Sequence, residues 1–158
     1  IVCTRPFAFV GPYQLLDRPW AINNFIRDGI KGGPIRIQGD GRTVRSYMYA
    51  SDMAWWMLNI LVRGTPGQTF NVGSSQEISL HQLAEKISAY FHSRPEIMLN
   101  VSANRSPPPS RFVPDIGLAQ ESLGLIFMTN LDSAIQRSIA WYQEREKRPV
   151  KHARYQSG

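Results

Sequence analysis

The 158-residue sequence contains one cysteine, Cys3, three histidines and no long hydrophobic run. A single cysteine cannot close an internal disulfide, so nothing asks for an oxidising compartment. The longest apolar stretch, residues 53–62, is interrupted by Asn59 and is too short to span a bilayer. No secretory leader is visible, and the expectation is a cytoplasmic protein without a membrane partner. His81, His92 and His152 are scattered and have no cysteine cluster beside them, so no metal site is expected. There is no Gly-x-Ser-x-Gly elbow. Neither Gly32-Gly33 nor Gly39-Asp40-Gly41 makes a phosphate-binding loop or a Gly-x-Gly-x-x-Gly fingerprint. Disulfide-stapled, membrane-spanning, metal-dependent and serine-hydrolase readings are thereby set aside.

What is present is ordinary for a soluble chain with a core: 42% hydrophobic and 19% charged residues. Eighteen Lys+Arg against twelve Asp+Glu leave a formal charge of +6. That balance favours an anionic partner such as nucleic acid, an anionic membrane or a phosphorylated small molecule. Basic residues form no stripe along one helix, which argues against nucleic acid. Trp55, Trp56, Tyr90, Phe91, Trp141 and Tyr142 fall on helical patterns, where core packing is expected rather than base stacking.

Periodicity predicts a mixed α/β chain. A strand is expected over 1–4, with a loop from Arg5. Pro19 marks a helix start near Trp20, with Ala21, Ile22, Phe25, Ile26 and Ile30 on one face. A strand over 34–38 ends in a tight turn at Gly39-Asp40-Gly41, and residues 44–49 are extended. Ser51 or Asp52 is expected to cap a helix over 53–61 that is apolar almost all round and therefore buried. A strand over 68–72 follows. Ser79-Leu80-His81-Gln82 is a capping box that opens a helix to about Phe91. Another strand lies within 95–101, and the proline run 106–110 is irregular. Asp115 can cap a short helix ending near Gly124. Asn130 can cap a last helix with Leu131, Ala134, Ile135, Ile139 and Tyr142 facing inward.

The polar residues left over for chemistry are Arg5, Asn24, Arg45, Asn71, Arg105 and Arg111. Arginine suits a diphosphate because its planar fork makes two parallel charge-assisted hydrogen bonds. Four segments in order give these residues a context. Arg5-Pro6-Phe7-Ala8-Phe9-Val10-Gly11-Pro12 resembles the R-x-F-N-x-x-G-P segment of the extended short-chain dehydrogenase/reductases. Gly39-Asp40-Gly41 through Arg45-Ser46-Tyr47-Met48-Tyr49 and Asp52 is similar to their G-D-G-x-x-x-R-(D/S)-(F/W/Y)-x-(Y/H)-x-x-D segment. Phe70-Asn71-Val72-Gly73 resembles (Y/F)-N-(V/I)-G. Arg105 through Arg111-Phe112-Val113-Pro114-Asp115, then Leu123-Gly124, resembles the closing R-P-G-x-x-x-x-(Y/F)-x-x-D…L-G segment. The resemblance covers about residues 1–145. It is to the NAD-dependent nucleotide-sugar epimerases and dehydratases.

The resemblance implies the C-terminal portion of an extended Rossmann-type fold. Late Rossmann strands and a helix would occupy 1–12 and 50–75. A small mixed α/β substrate-binding lobe would occupy 13–49 and 76–150, followed by a tail at 151–158. It implies that Arg45 and Arg105 hold a substrate diphosphate, with Arg111 replacing or assisting Arg105. Asn71 would bond the nucleotide's phosphate or ribose, the backbone at Ile35 would flank the base, and Asn24 would touch substrate. Phe7 would pass near the nicotinamide of NAD, and Asp52 would be a structural helix cap. Ala8 stands where many members have an amide-bearing Asn, and Ser106-Pro107-Pro108-Pro109 replaces the P-G turn.

The G-x-x-G-x-x-G loop and the Tyr-x-x-x-Lys pair of that chemistry are absent from these 158 residues. None of Tyr13, Tyr47, Tyr49, Tyr90, Tyr142 and Tyr155 has lysine four positions on. The chain also opens on Ile1, directly in a strand-like run. It therefore reads as part of a longer enzyme, binding a nucleoside-diphosphate sugar but neither holding NAD tightly nor turning over by itself. The alternative is a non-catalytic ligand-binding module of the same lineage. An exposed sheet edge is expected to make the chain dimerise or self-associate.

Overall fold

Helices and short strands alternate along the chain. The computed structural model describes residues 1–101 and 109–147. The order is β1 (Cys3–Pro6), β2 (Phe9–Val10), α1 (Ala21–Ile30), β3 (Ile35–Gln38), β4 (Val44–Arg45), β5 (Met48–Tyr49) and α2 (Ala50–Arg63). Then come β6 (Thr69–Val72), β7 (Ile78–Ser79), α3 (Leu80–Ser88), β8 (Ile97–Asn100), β9 (Arg111–Phe112), α4 (Gly117–Leu123) and α5 (Leu131–Lys147). β1 pairs parallel with β6, β2 with β5, and β3 with β8. β4 lies between β7, antiparallel, and β9, parallel. Each parallel pair is joined through at least one helix, as parallel connections require.

Two apolar clusters hold these elements. In one, Phe25 and Ile26 of α1 meet Ile37 of β3, Leu83 and Ile87 of α3, and Ile135 of α5. The α1–α3 approach depends on Gly29. A Cβ there would lie 2.2 Å from the Phe91 ring, so only a bare backbone fits. In the other, Met53, Trp56 and Ile60 of α2 pack with Phe70 and Val72 of β6 and Leu123 of α4. Trp56 is fully buried, and its indole N–H donates to the Ile126 carbonyl at 3.0 Å. A buried indole generally needs such a partner.

Several expected local devices are present. The Ser79 hydroxyl accepts from the Gln82 N–H at 3.2 Å, and the Gln82 side chain accepts from the Ser79 N–H at 3.1 Å. Asn130 accepts from the Ser133 N–H at 2.8 Å and so caps α5. Leu131, Ala134, Ile135, Ile139 and Tyr142 are buried as expected. Asp115 accepts from the Gly117 N–H at 2.9 Å, one position ahead of the formal cap Ile116, and Gly124 ends α4 at φ 66.

Three expectations are corrected, and the topology around an expected turn is defined. Arg5 does not begin a loop, because β1 runs to Pro6 in register with β6. The extended segment 44–49 splits into β4 and β5, which belong to different sheets. The turn at Gly39-Asp40-Gly41 is real, with both glycines at positive φ, but it closes no hairpin: β3 pairs with β8 instead of β4. Helix α2 is not buried all round. Trp55, Leu58, Leu61 and Val62 are 50%, 57%, 76% and 80% exposed. Apolarity on every face therefore did not mean burial on every face.

Asp52 is also not a cap. The residue before α2 is Tyr49, which makes no side-chain cap bond. Asp52 sits inside the helix, 1% exposed, and reaches across the chain. One carboxylate oxygen accepts from the Met128 N–H at 2.9 Å and the Thr129 N–H at 2.8 Å, and the other from the Thr129 hydroxyl at 3.2 Å.

Candidate functional site

A cavity of about 420 Å³ opens where three segments converge. Phe7, Ala8 and Phe9 line one side. Pro19, Trp20, Ala21 and Ile22, at the start of α1, line a second. Arg45, Tyr47 and Leu80 line the third, with Gln14 beside them. Local sequence explains the shape. Trp20, extended at φ -104 and ψ 125, leads the chain into α1 beside the cavity. The Phe7 N–H donates to the Val72 carbonyl at 2.8 Å, which pins the loop to β6. The Phe7 ring stacks on Phe112, with centroids 4.6 Å apart. Beneath them, a Cβ on Gly73 would lie 2.8 Å from the Phe7 Cβ and 3.0 Å from the Pro114 Cγ. The bare glycine is what lets both segments close over β6.

Arg45 is half-buried on β4. Its guanidinium donates to the Val44 carbonyl at 2.8 Å, the Ser110 carbonyl at 3.2 Å and the Ser110 hydroxyl at 3.1 Å. All three acceptors are neutral, so the fork is held while its charge is left uncompensated. That is the arrangement an anionic ligand needs. Tyr47, two residues on, is buried. Burial pushes its phenol up to about 12 against the weaker opposing pull of the Arg45 charge. Gln14 is engaged within the protein: its oxygen accepts from the Gly11 N–H at 3.1 Å and its nitrogen donates to the Phe9 carbonyl at 3.3 Å.

The other residues singled out from the sequence are not gathered at this cavity. Arg111 lies on β9, beside β4, but its head ion-pairs with Glu77. The hydrogen bond from Arg111 holds the Glu77 carboxyl below its ordinary value. Asn71 lies on β6, and its amide donates to the Asp115 carbonyl at 2.7 Å. Ile35 is fully buried on β3, with its N–H on the Glu96 carbonyl at 2.8 Å. Asn24 is half-buried within α1. Arg105 lies outside the described residues. The cavity thus brings together Phe7 and Arg45 from the sequence reading, and adds Tyr47, Gln14 and Trp20, which that reading passed over.

Among the described residues no group of three His, Cys, Asp or Glu side chains could hold a metal ion. No described helix is long and apolar enough to cross a membrane. A dinucleotide needs a glycine-rich turn opening a helix, where free N–H groups meet the pyrophosphate. Here the residues preceding α1, α2, α3 and α4 are Trp20, Tyr49, Ser79 and Ile116. The described residues therefore do not fit a whole NAD.

The fold has known counterparts. A UDP-glucose 4-epimerase from Thermotoga maritima, solved with UDP-glucose, superposes with a TM-score of 0.82 at 20% identity, over 92% of this chain and 46% of its own. Among sequences, a trifunctional UDP-glucose 4,6-dehydratase/UDP-4-keto-6-deoxy-D-glucose 3,5-epimerase/UDP-4-keto-L-rhamnose-reductase of Arabidopsis thaliana is 30% identical over 144 residues. UDP-glucuronic acid decarboxylase 1 of the same plant is 27% identical over 141 residues. Residues 1–73 match the NAD dependent epimerase/dehydratase family. The first 73 residues of the chain thus resemble this family, and the sequence similarity to these plant enzymes runs on over most of the chain. The matches are partial on the relatives' side: they span 91% of this chain but 21% of the trifunctional relative, and 89% of this chain but 32% of the decarboxylase. The mixed α/β architecture is that of the extended Rossmann-type members, of which it covers somewhat under half.

Proposed function

We propose that this chain forms the nucleotide-sugar-binding portion of an NAD-dependent enzyme that epimerises or dehydrates a nucleoside-diphosphate sugar. The observation that carries the reading is Arg45. It presents an oriented, uncompensated guanidinium to a cavity otherwise lined largely by aromatic and aliphatic side chains. A diphosphate matches the charge, and a sugar or base ring matches the apolar walls. Asn71, Arg105, Arg111, Asn24 and the backbone at Ile35 are further contacts in this reading, and Phe7 flanks the nicotinamide. Residues 1–12 and 50–75 would form the late Rossmann part, and 13–49 and 76–150 the substrate lobe.

The 158 residues contain neither Tyr-x-x-x-Lys nor G-x-x-G-x-x-G. This portion is therefore inactive alone and holds NAD weakly. That same lack, together with Ala8, favours the second reading, a ligand-binding module without catalysis. NAD-dependent turnover by the 158-residue chain would overturn the inactivity.

The direct test is calorimetric titration with UDP, UDP-glucose, dTDP-glucose and NAD. Saturable binding of at least one nucleoside diphosphate is expected. Arg45→Ala should weaken it by about ten-fold or more, the usual worth of a charge-assisted contact. No saturable nucleoside-diphosphate binding would reject the reading.

A further inference from the structure

The hydrogen-bonding groups around the cavity are unequally committed. The Gln14 amide is engaged at both ends, with Gly11 and Phe9. Arg45 is partly engaged, with Val44 and Ser110. Trp20 stands at the rim, 51% exposed. Tyr47 differs from all three. It is only 7% exposed, yet no described residue hydrogen-bonds its hydroxyl. Its hydroxyl is also not among the fully enclosed polar atoms that lack a partner, where Ser46 Oγ stands alone. A buried phenol whose oxygen is neither sealed in protein nor bonded to it must open on a cavity. Tyr47 lines two: the one shared with Arg45, and a second of about 340 Å³ that holds no charged side chain. Of the two, only the cavity shared with Arg45 carries a charge that an anionic ligand would seek.

We propose that the Tyr47 hydroxyl donates a hydrogen bond to a phosphate oxygen of the nucleoside diphosphate that Arg45 holds. This rests on the nucleotide-sugar reading above. The chemistry favours an anionic acceptor. The phenol stays protonated across the physiological range, and a neutral donor beside a guanidinium completes the field around a phosphate without adding charge. With Ala8 carrying no amide, no other neutral donor lies buried in this wall among the described residues. Arg45 ends β4 and Tyr47 lies in the link to β5, and both side chains line the same cavity.

The test is Tyr47→Phe, which removes the oxygen and little else. Thermal melts and UDP titrations would be compared with the wild-type chain, together with the ultraviolet difference spectrum of the tyrosines on adding UDP. The melting temperature without UDP should be unchanged or higher, because no hydrogen bond to a described residue is lost. Affinity for UDP should fall about ten-fold. A phenol difference band should accompany UDP binding to the wild type and be missing from the variant. If the variant binds UDP within about two-fold of wild type, the inference fails while the nucleotide reading stands. If the variant melts well below wild type without UDP, the hydroxyl belongs to the fold and the inference fails. If neither protein binds UDP, both fall.

Discussion

At the scale of single residues, two groups on one short segment show what a sequence does and does not announce. Arg45 was legible because it occupies the arginine of a segment similar to G-D-G-x-x-x-R. Tyr47 was not, since an aromatic in an alternating segment reads first as core. It is in fact both, a core ring with a hydroxyl at a cavity. This has a consequence at high pH. A phenol raised from 10.0 to about 12 by burial resists ionisation in the folded state. Its contribution is intact below about pH 10, where the folded and unfolded forms are both protonated. It is lost as pH rises from the unfolded value through the folded one, because only the unfolded chain ionises freely. The expected loss is roughly 2 kcal/mol by pH 12. Urea unfolding of wild type and Tyr47→Phe at several alkaline pH values checks it. The difference in stability should be flat up to pH 10 and then shift in favour of the variant.

At the scale of elements, the legible features were those whose partners are near in sequence. The capping box at Ser79, the Asn130 cap, the glycine end of α4 and the inward stripe of α5 all depend on residues within one or two turns. The misread features have distant partners. Nothing around 39–45 shows that β3 chooses β8, some sixty residues away, over its neighbour β4. Asp52 has the sequence position of a cap and the bonds of a long-range staple, 76 and 77 residues from the N–H groups that donate to it. That distinction makes its removal severe. Asp52→Ala would leave the Met128 and Thr129 N–H groups without their acceptor in a part-buried site, which costs about 2–4 kcal/mol where a charged acceptor is lost. A true cap would cost about 1 kcal/mol. Denaturant unfolding separates the two. A loss near the smaller figure would mean that the loop at 128–129 is held by something other than Asp52.

At the scale of the whole molecule, the surface carries more apolar area than this fold covers. Helix α2 has two apolar faces. Met53, Trp56 and Ile60 fill the core, while Trp55, Leu58, Leu61 and Val62 face outward. Beside it, β1 pairs with β6 on one side and has no strand partner on the other among the described residues. Ile1, at the start of the same region, is 99% exposed. An uncovered strand edge next to an uncharged helix face is the combination that draws in another surface. This chain covers 46% and 45% of two solved structures of the same fold, and in each further structure accompanies the matched part. For the 158-residue chain alone, the expected outcome is reversible self-association through this face. Sedimentation velocity should show mass rising with concentration. Leu58→Lys with Val62→Lys should return the chain to monomer with little change in unfolding free energy, because both residues are already exposed. A wild-type chain that stays monomeric at every concentration would show that the apolar face alone is too weak to drive contact. An associating double variant would place the contact elsewhere. UDP binding should survive the double substitution, since neither position lines the Arg45 cavity.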